Sequence, residues 1–325
     1  AMRRPEILVV GSLVMDLICS TRRFPESGET VIGMDFQTAP GGKGANQAVQ
    51  AARLGASVNM IGKVGNDDFG KNILKSVSES GVDVSGVSTS QSKPTAIGNI
   101  QLEVSESGTA NRILVIPGAN MDLSEEDVLP LRETISKYDM VILQLEIPVK
   151  INELVAKIAY ENNVPVMLNS APSAPLSDEF LSHLTFISPN EHEASDLTGI
   201  AVKDEDSAKA AIEMLLIKGV KNVLITMGSK GAVFGNTETF ISSPSVDYGQ
   251  VVDPTAAGDS FVAAFCTAVS LGAGFEQALL FANHTAGITV SRMGAQPSLP
   301  AIDEVLSFMQ KNGHDISAFN ALIGN

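Results

Sequence analysis

The 325-residue sequence has no tryptophan, two cysteines and four histidines, and its 22 Lys and Arg are far outnumbered by 37 Asp and Glu. Cys19 and Cys266 supply neither a disulfide framework nor a metal-ligand spacing, and they read as reduced core residues of a cytoplasmic protein. His183, His192, His284 and His314 are scattered with no partner at ligand spacing, which argues against zinc. A formal charge of -15 argues against a nucleic-acid surface, since phosphate backbones are bound mainly by clustered Lys and Arg. No apolar run reaches the roughly 18 residues that span a bilayer, and AMRRPEILVVGS reads as a charged lead into a strand rather than a secretory signal. There is no G-x-S-x-G elbow and no His partner for Cys19, so the common hydrolase arrangements are missing.

What the chain does contain is 44% hydrophobic residues, enough for a sizeable core. Short β-branched runs (ILVV at 7, VNMI at 58, MVILQL at 140, VPVML at 164, LTFIS at 184, VLIT at 223) alternate with segments of helical periodicity such as 151–163 and 204–219. That order implies an α/β fold with a mainly parallel sheet covered on both faces. Residues 30–40 and 95–116 break the alternation. They read as antiparallel strands, with a turn near Ser107 and Gly108, that form a small separate sheet. Asp16, Glu146, Asn169, Asn190 and Thr226 stand where strands of the main sheet should end, which is where ligands bind in open parallel sheets; Asn and Thr that simply make turns there are the alternative.

Two glycine-rich stretches invite a nucleotide reading, and both fail the standard patterns. In 65–72, GNDDFGKN, Asn72 stands where a metal-binding hydroxyl belongs and Asp67 and Asp68 would repel phosphate, so a helix-capping loop is expected. In 41–47, GGKGANQ, Gln47 occupies the sixth position of a dinucleotide fingerprint, where Gly or Ala is required. The stretch still offers close backbone approach and the amide of Asn46 to a polyhydroxylated ligand; a plain strand-to-helix turn is the alternative. In 189–193, PNEHE, Asn190 and Glu193 suit either a shared cavity or ordinary helix capping.

The stretch 251–265, VVDPTAAGDSFVAAF, carries the strongest local chemistry. The N–H groups of Ala256, Ala257 and Gly258 fall at a helix start, where unpaired donors and the helix dipole receive an anion without any Lys or Arg. An acid in such a place would repel that anion. Asp259 is therefore either a first-turn acid favoured by the dipole or a base that takes a proton from an attacking hydroxyl.

Taken together, GGKGANQAV at 41–49, N-x-x-E at 190–193 and D-x-T-A-A-G-D-S-F at 253–261 resemble the signature regions of the ribokinase-like (PfkB) carbohydrate kinase family, and the resemblance runs from about Ile7 to Phe308. It implies one kinase domain over 1–325, a three-layer α/β/α sandwich with a mainly parallel central sheet, and a β lid from about 12–40 and 95–117. The implied reaction is ATP-dependent phosphorylation of D-ribose at its 5-hydroxyl, with Asp259 as base and Ala256, Ala257 and Gly258 as the anion hole. Val14, Asp16, Gly42, Lys43, Gly44, Ala45, Asn46 and Glu146 match sugar positions. Asn190, Thr226, Met227, Gly228, Ser229, Lys230, Gly231, Gly258 and Asn283 match ATP positions. Glu193 matches the residue that organises magnesium indirectly, and Asp253, Thr255, Thr289, Arg292, Gly294 and Ser298 match a potassium loop. A homodimer joined through the lids is also implied.

Two positions depart from the family. Val14 stands where some members carry an Asn that contacts sugar, which opens the reading of a 2-deoxyribose, other pentose or nucleoside kinase. Pro254 replaces the more usual Thr and lacks an N–H. A non-catalytic sensor that keeps the fold is the remaining alternative.

Overall fold

The computed structural model describes residues 3–324. Thirteen strands lie in this part of the chain: β1 (Glu6–Val10), β2 (Val14–Thr21), β3 (Asp35–Gly41), β4 (Ser57–Gly65), β5 (Val82–Ser90), β6 (Ala96–Ser105), β7 (Gly108–Ile116), β8 (Met140–Leu143), β9 (Val166–Leu168), β10 (Phe186–Ile187), β11 (Asn222–Thr226), β12 (Ala232–Gly235) and β13 (Phe240–Ser243). Nine form the main sheet in the order β13-β12-β11-β10-β9-β8-β1-β4-β5; its pairs are parallel from β11 to β5, and β12 and β13 add an antiparallel edge.

The apolar run of β1 shows why helices cover both faces. Ile7 and Val9 point into one core with the helices Lys43–Arg53, Ala257–Ser270 and Phe275–Val290, while Leu8 and Val10 point into another with Val149–Glu161 and Glu205–Ile217. All four side chains are fully buried, as the period-2 alternation of a strand between two layers demands. The Lys43–Arg53 helix presents Ala45 and Ala48 to the first core beside Ala263 and Ala264 of the Ala257–Ser270 helix, and small side chains let these two helices approach closely.

The small sheet has the order β3-β2-β6-β7. Its β6–β7 hairpin turns between Ser105 and Gly108, as expected, and β3 is antiparallel to β2. The central pair, β2 with β6, is parallel, so the sheet is mixed rather than antiparallel throughout. Asp16 belongs to β2 of this sheet and not to the end of a main-sheet strand. The loop at 65–72 caps a helix as expected, with the Asp67 carboxylate accepting from Gly70 N. Of the two cysteines only Cys266 is in the core; Cys19 is exposed on the small sheet.

Candidate active site

Polar residues emerge along the carboxyl edge of the main sheet, Gln144 and Glu146 after β8, Asn169 after β9, Ser188 and Asn190 after β10 and Thr226 at the end of β11. The helix Ala257–Ser270 brings its N-terminus to the same edge. Asp259, in its first turn and 6% exposed, accepts at Oδ1 from Gln47 Nε2 (3.0 Å) and at Oδ2 from Asn46 Nδ2 (3.0 Å). Burial holds its pKa above the ordinary carboxylate range, opposed by the Lys43 charge and the two amide donors. An ionised carboxylate held this way is ready to accept a proton from a neighbouring hydroxyl.

The three amides expected to receive an anion are not equivalent. The Ala257 N–H donates to Pro254 O at 3.1 Å, so Pro254 closes the turn through its carbonyl. Ala256 is fully buried. Gly258 faces open space, for a Cβ built there would meet nothing within 4 Å. Two cavities, of about 180 and 510 Å³, both reach Gly258, Asn190 and Thr226. The smaller is polar, with Lys43, Asn169, Glu193 and Asp259 in its wall. The larger is mostly apolar, with Val246, Val251, Phe261, Ala286 and Val290 beside Gly228, Ser229, Gly231 and Asn283. Met227 and Lys230, expected to join them, turn elsewhere: Met227 packs in the core and Lys230 Nζ donates to Lys203 O at 3.1 Å.

Asn190 and Glu193 cap the helix Glu191–Thr198 reciprocally (2.8 and 2.9 Å), and Glu193 also lines the smaller cavity. Capping and a place in the cavity are thus both true of it. Burial lifts its pKa above the usual carboxylate range, against the Asn190 N–H and the Lys43 charge.

On the other side of Asp259 the residues 41–46 are tied down by Ser12 and Glu146. Glu146 Oε1 accepts from Ser12 Oγ (2.7 Å) and Lys43 N (2.8 Å), and Ser12 Oγ accepts from Gly44 N (3.1 Å). Gly42 has φ of 94°, and a Cβ there would lie 3.0 Å from both Ser12 O and Val14 N, so only glycine fits. Ala45 is fully buried and packs in the core, which leaves it no contact to offer a ligand. Gly41 and Gly98 leave room for the Asp16 carboxylate, whose oxygens a Cβ would approach to 2.7 and 2.5 Å. Burial, then the charge of Glu146, raises the Asp16 pKa to about 6. Val14 is buried at the start of β2 between Gly41 and Ala96.

The proposed cation loop is partly assembled. Asp253 Oδ1 accepts from Thr255 N (3.0 Å) and Thr255 Oγ1, and Oδ2 accepts from Gly294 N (2.9 Å). Three other side chains point elsewhere: Thr289 Oγ1 donates to Ser260 Oγ, Ser298 Oγ to Ala295 O, and the Arg292 guanidinium pairs with Glu304.

The model of the pfkB family of carbohydrate kinases matches residues 4–302. The chain belongs to that family. Among relatives of this pfkB kinase, the ribokinase of Haemophilus influenzae is 40% identical over 94% of this chain and 99% of that protein, and the ribokinase of Bacillus subtilis is 41% identical over 92% and 97%. The deoxyribokinase of Salmonella typhi is 33% identical over 94% and 99%. Among solved structures, Arabidopsis thaliana ribokinase complexed with ribose and ATP superposes with a TM-score of 0.88 at 35% identity, covering 94% of this chain and 99% of that one.

Sequence reasoning overlooked Ser12, Gln47 and Gln144 in this kinase, and the apolar wall of the larger cavity. Gln47 entered the sequence reading only as a residue that breaks a fingerprint. Two consecutive amides, Asn46 and Gln47, at a helix start were the available signal, because adjacent residues there can diverge toward two oxygens of one acid.

Proposed function

We propose that this chain transfers the γ-phosphoryl group of ATP to the 5-hydroxyl of D-ribose. The observation that carries the reading is Asp259, a buried carboxylate at the start of a helix where a polar chamber meets a larger apolar one. The larger cavity suits a purine and the junction at Gly258 suits the phosphates, while the sugar lies toward Asp16, Asn46 and Glu146. Asp259 takes the proton as the hydroxyl oxygen attacks the γ-phosphorus, the bond to ADP breaks in line, and the helix start holds the developing charge.

A divalent cation such as magnesium accompanies ATP and would neutralise phosphate charge. Glu193, half-buried in the wall of the polar cavity beside the Lys43 charge, is the residue fitted to orient it. Potassium would sit beside Asp253, Thr255 and Gly294, held by main-chain carbonyls. We read the small sheet as a lid over the sugar, since it carries Asp16 on one face. Directly paired residues share a face, so Ile18, Ile100 and Ile113 form an apolar row on that same side, with Ile113 56% and Val115 54% exposed. A second copy of the chain docking there through its own lid would cover this row and give a homodimer. No helix among the described residues is long and apolar enough to cross a membrane. Unpaired thiols at Cys19 and Cys266 suit a reducing, cytoplasmic setting.

A second reading, 2-deoxyribose as the acceptor, is favoured by Val14, which offers no hydrogen bond to a 2-hydroxyl. ADP release measured with ATP and, in turn, ribose, 2-deoxyribose and adenosine separates these. Highest kcat/KM on ribose supports the proposal, highest on 2-deoxyribose supports the second reading, and no release with any of them sinks both.

A further inference from the structure

We propose that Gln47 is a positioning residue for Asp259, oriented by a chain of buried amides running through Gln144, Asn169 and Ser188. This inference rests on the reading of Asp259 as the base. An amide side chain is nearly symmetric in shape, and reversed it would turn lone pairs toward the carboxylate. The direction is fixed from the far end. Asn169 Nδ2 donates to the main-chain carbonyl of Ser188 (3.0 Å), which can only accept, so Asn169 turns its Oδ1 toward Gln47. Gln47 Nε2 then donates to Asn169 Oδ1 (3.1 Å) and Asp259 Oδ1 (3.0 Å), while its Oε1 accepts from Gln144 Nε2 (2.7 Å).

Gln47, Gln144, Asn169 and Ser188 are all buried. Gln47 lines neither cavity, so whatever it does for the reaction passes through Asp259. Gln144 Oε1 has no hydrogen-bond partner and sits where a Cβ on Gly11 would approach to 2.0 Å. An unpaired buried amide oxygen is unfavourable for folding, and an aliphatic side chain would fill the space without that cost. Its presence makes sense if the other end of the same amide is required, and that end holds Gln47. With Asn46 on Oδ2 and Gln47 on Oδ1, the plane of the carboxylate is fixed and each oxygen keeps a lone pair for a substrate proton.

The test uses the full chain with ATP and ribose, comparing Gln47→Leu, Gln144→Met and Asp259→Asn with the parent. Gln47→Leu should lower kcat roughly 10- to 100-fold, with ribose KM changed by no more than about threefold. The acid limb of its kcat–pH profile should move to higher pH, because a carboxylate that loses an N–H donor protonates more readily. Gln144→Met should move both in the same directions by less; if Gln47→Leu does not fold, this variant decides alone. A lowered melting temperature with kcat and the acid limb unmoved makes the chain a packing feature and overturns the inference. An inactive Asp259→Asn beside a normal Gln47→Leu overturns this inference only, whereas near-normal turnover by Asp259→Asn overturns the base reading and this one with it.

Discussion

Asp67 and Thr95 are joined by two hydrogen bonds: Asp67 Oδ1 accepts from Thr95 Oγ1 at 2.6 Å and Oδ2 from Thr95 N at 2.9 Å. Asp67 also caps the helix Asp68–Glu79 through Gly70 N, and Thr95 Oγ1 accepts from Gly65 N, so one carboxylate ties the main sheet to the residue that leads into β6 of the small sheet. Asp67→Ala should cost about 1–2 kcal/mol in urea unfolding, as lost helix caps do. Burial pushes this acid up, but the Thr95 and Gly70 donors outweigh it and its pKa lies below the usual range. Its contribution is therefore present above the ordinary Asp pKa and lost as pH falls through the lowered one. The gap in stability between parent and variant should shrink at acid pH; a gap that persists there would contradict the assignment.

Asp16 behaves in the opposite sense. With its folded pKa at about 6, the fold binds a proton that the unfolded chain has released, so stability falls as pH rises from the ordinary Asp value to about 6 and stays lowered above that. Asp16→Asn should melt higher than the parent at pH 7.5, with little gain at pH 4. The same change removes a carboxylate acceptor from the proposed sugar site, so ribose KM should rise by about tenfold or more, the scale of a lost charged hydrogen bond. A variant with unaltered KM and no gain in melting temperature would refute both roles.

The potassium proposal predicts that replacing potassium with tetramethylammonium lowers turnover, and that Asp253→Ala abolishes this response while lowering kcat about tenfold, equivalent to roughly 1.4 kcal/mol. Asp253 shapes the loop through Thr255 and Gly294 and leads into the helix start that bears Asp259. Equal turnover in both salts would remove the cation from the mechanism.

The apolar row on the small sheet predicts self-association. Ile113→Asp places a charge beside Ile100 in the middle of that row. Sedimentation should show the parent as a dimer and the variant as a monomer at the same concentration. A monomeric parent, or a dimeric variant, would move any interface elsewhere.

Much of the architecture was already written in local patterns. The runs at 7, 58, 140, 164, 184 and 223 became parallel strands because residues such as Ile7 and Leu8 are apolar at successive positions, which a strand accommodates only between two helical layers. The helix start at 256–259 was readable because small residues and one acid are adjacent in sequence, and helix-end chemistry is local. The short β12 and β13 were not legible, since edge strands take their pairing from a neighbour rather than from their own periodicity.

Tertiary structure decided the rest. Whether Asp259 is exposed or buried depends on the approach of the Lys43–Arg53 helix, more than 200 residues earlier in the chain, and that approach also supplies Asn46 and Gln47. It decided that Asp16 lies on the small sheet, that Cys19 is exposed, and that Ala45, Met227 and Lys230 line neither of the two cavities. The sequence by itself determined the class of fold, the family and the residue types available for chemistry, because these follow from periodicity and short motifs. Which of those side chains meet was settled only by long-range packing, since direction and burial belong to pairs of elements and not to any one stretch.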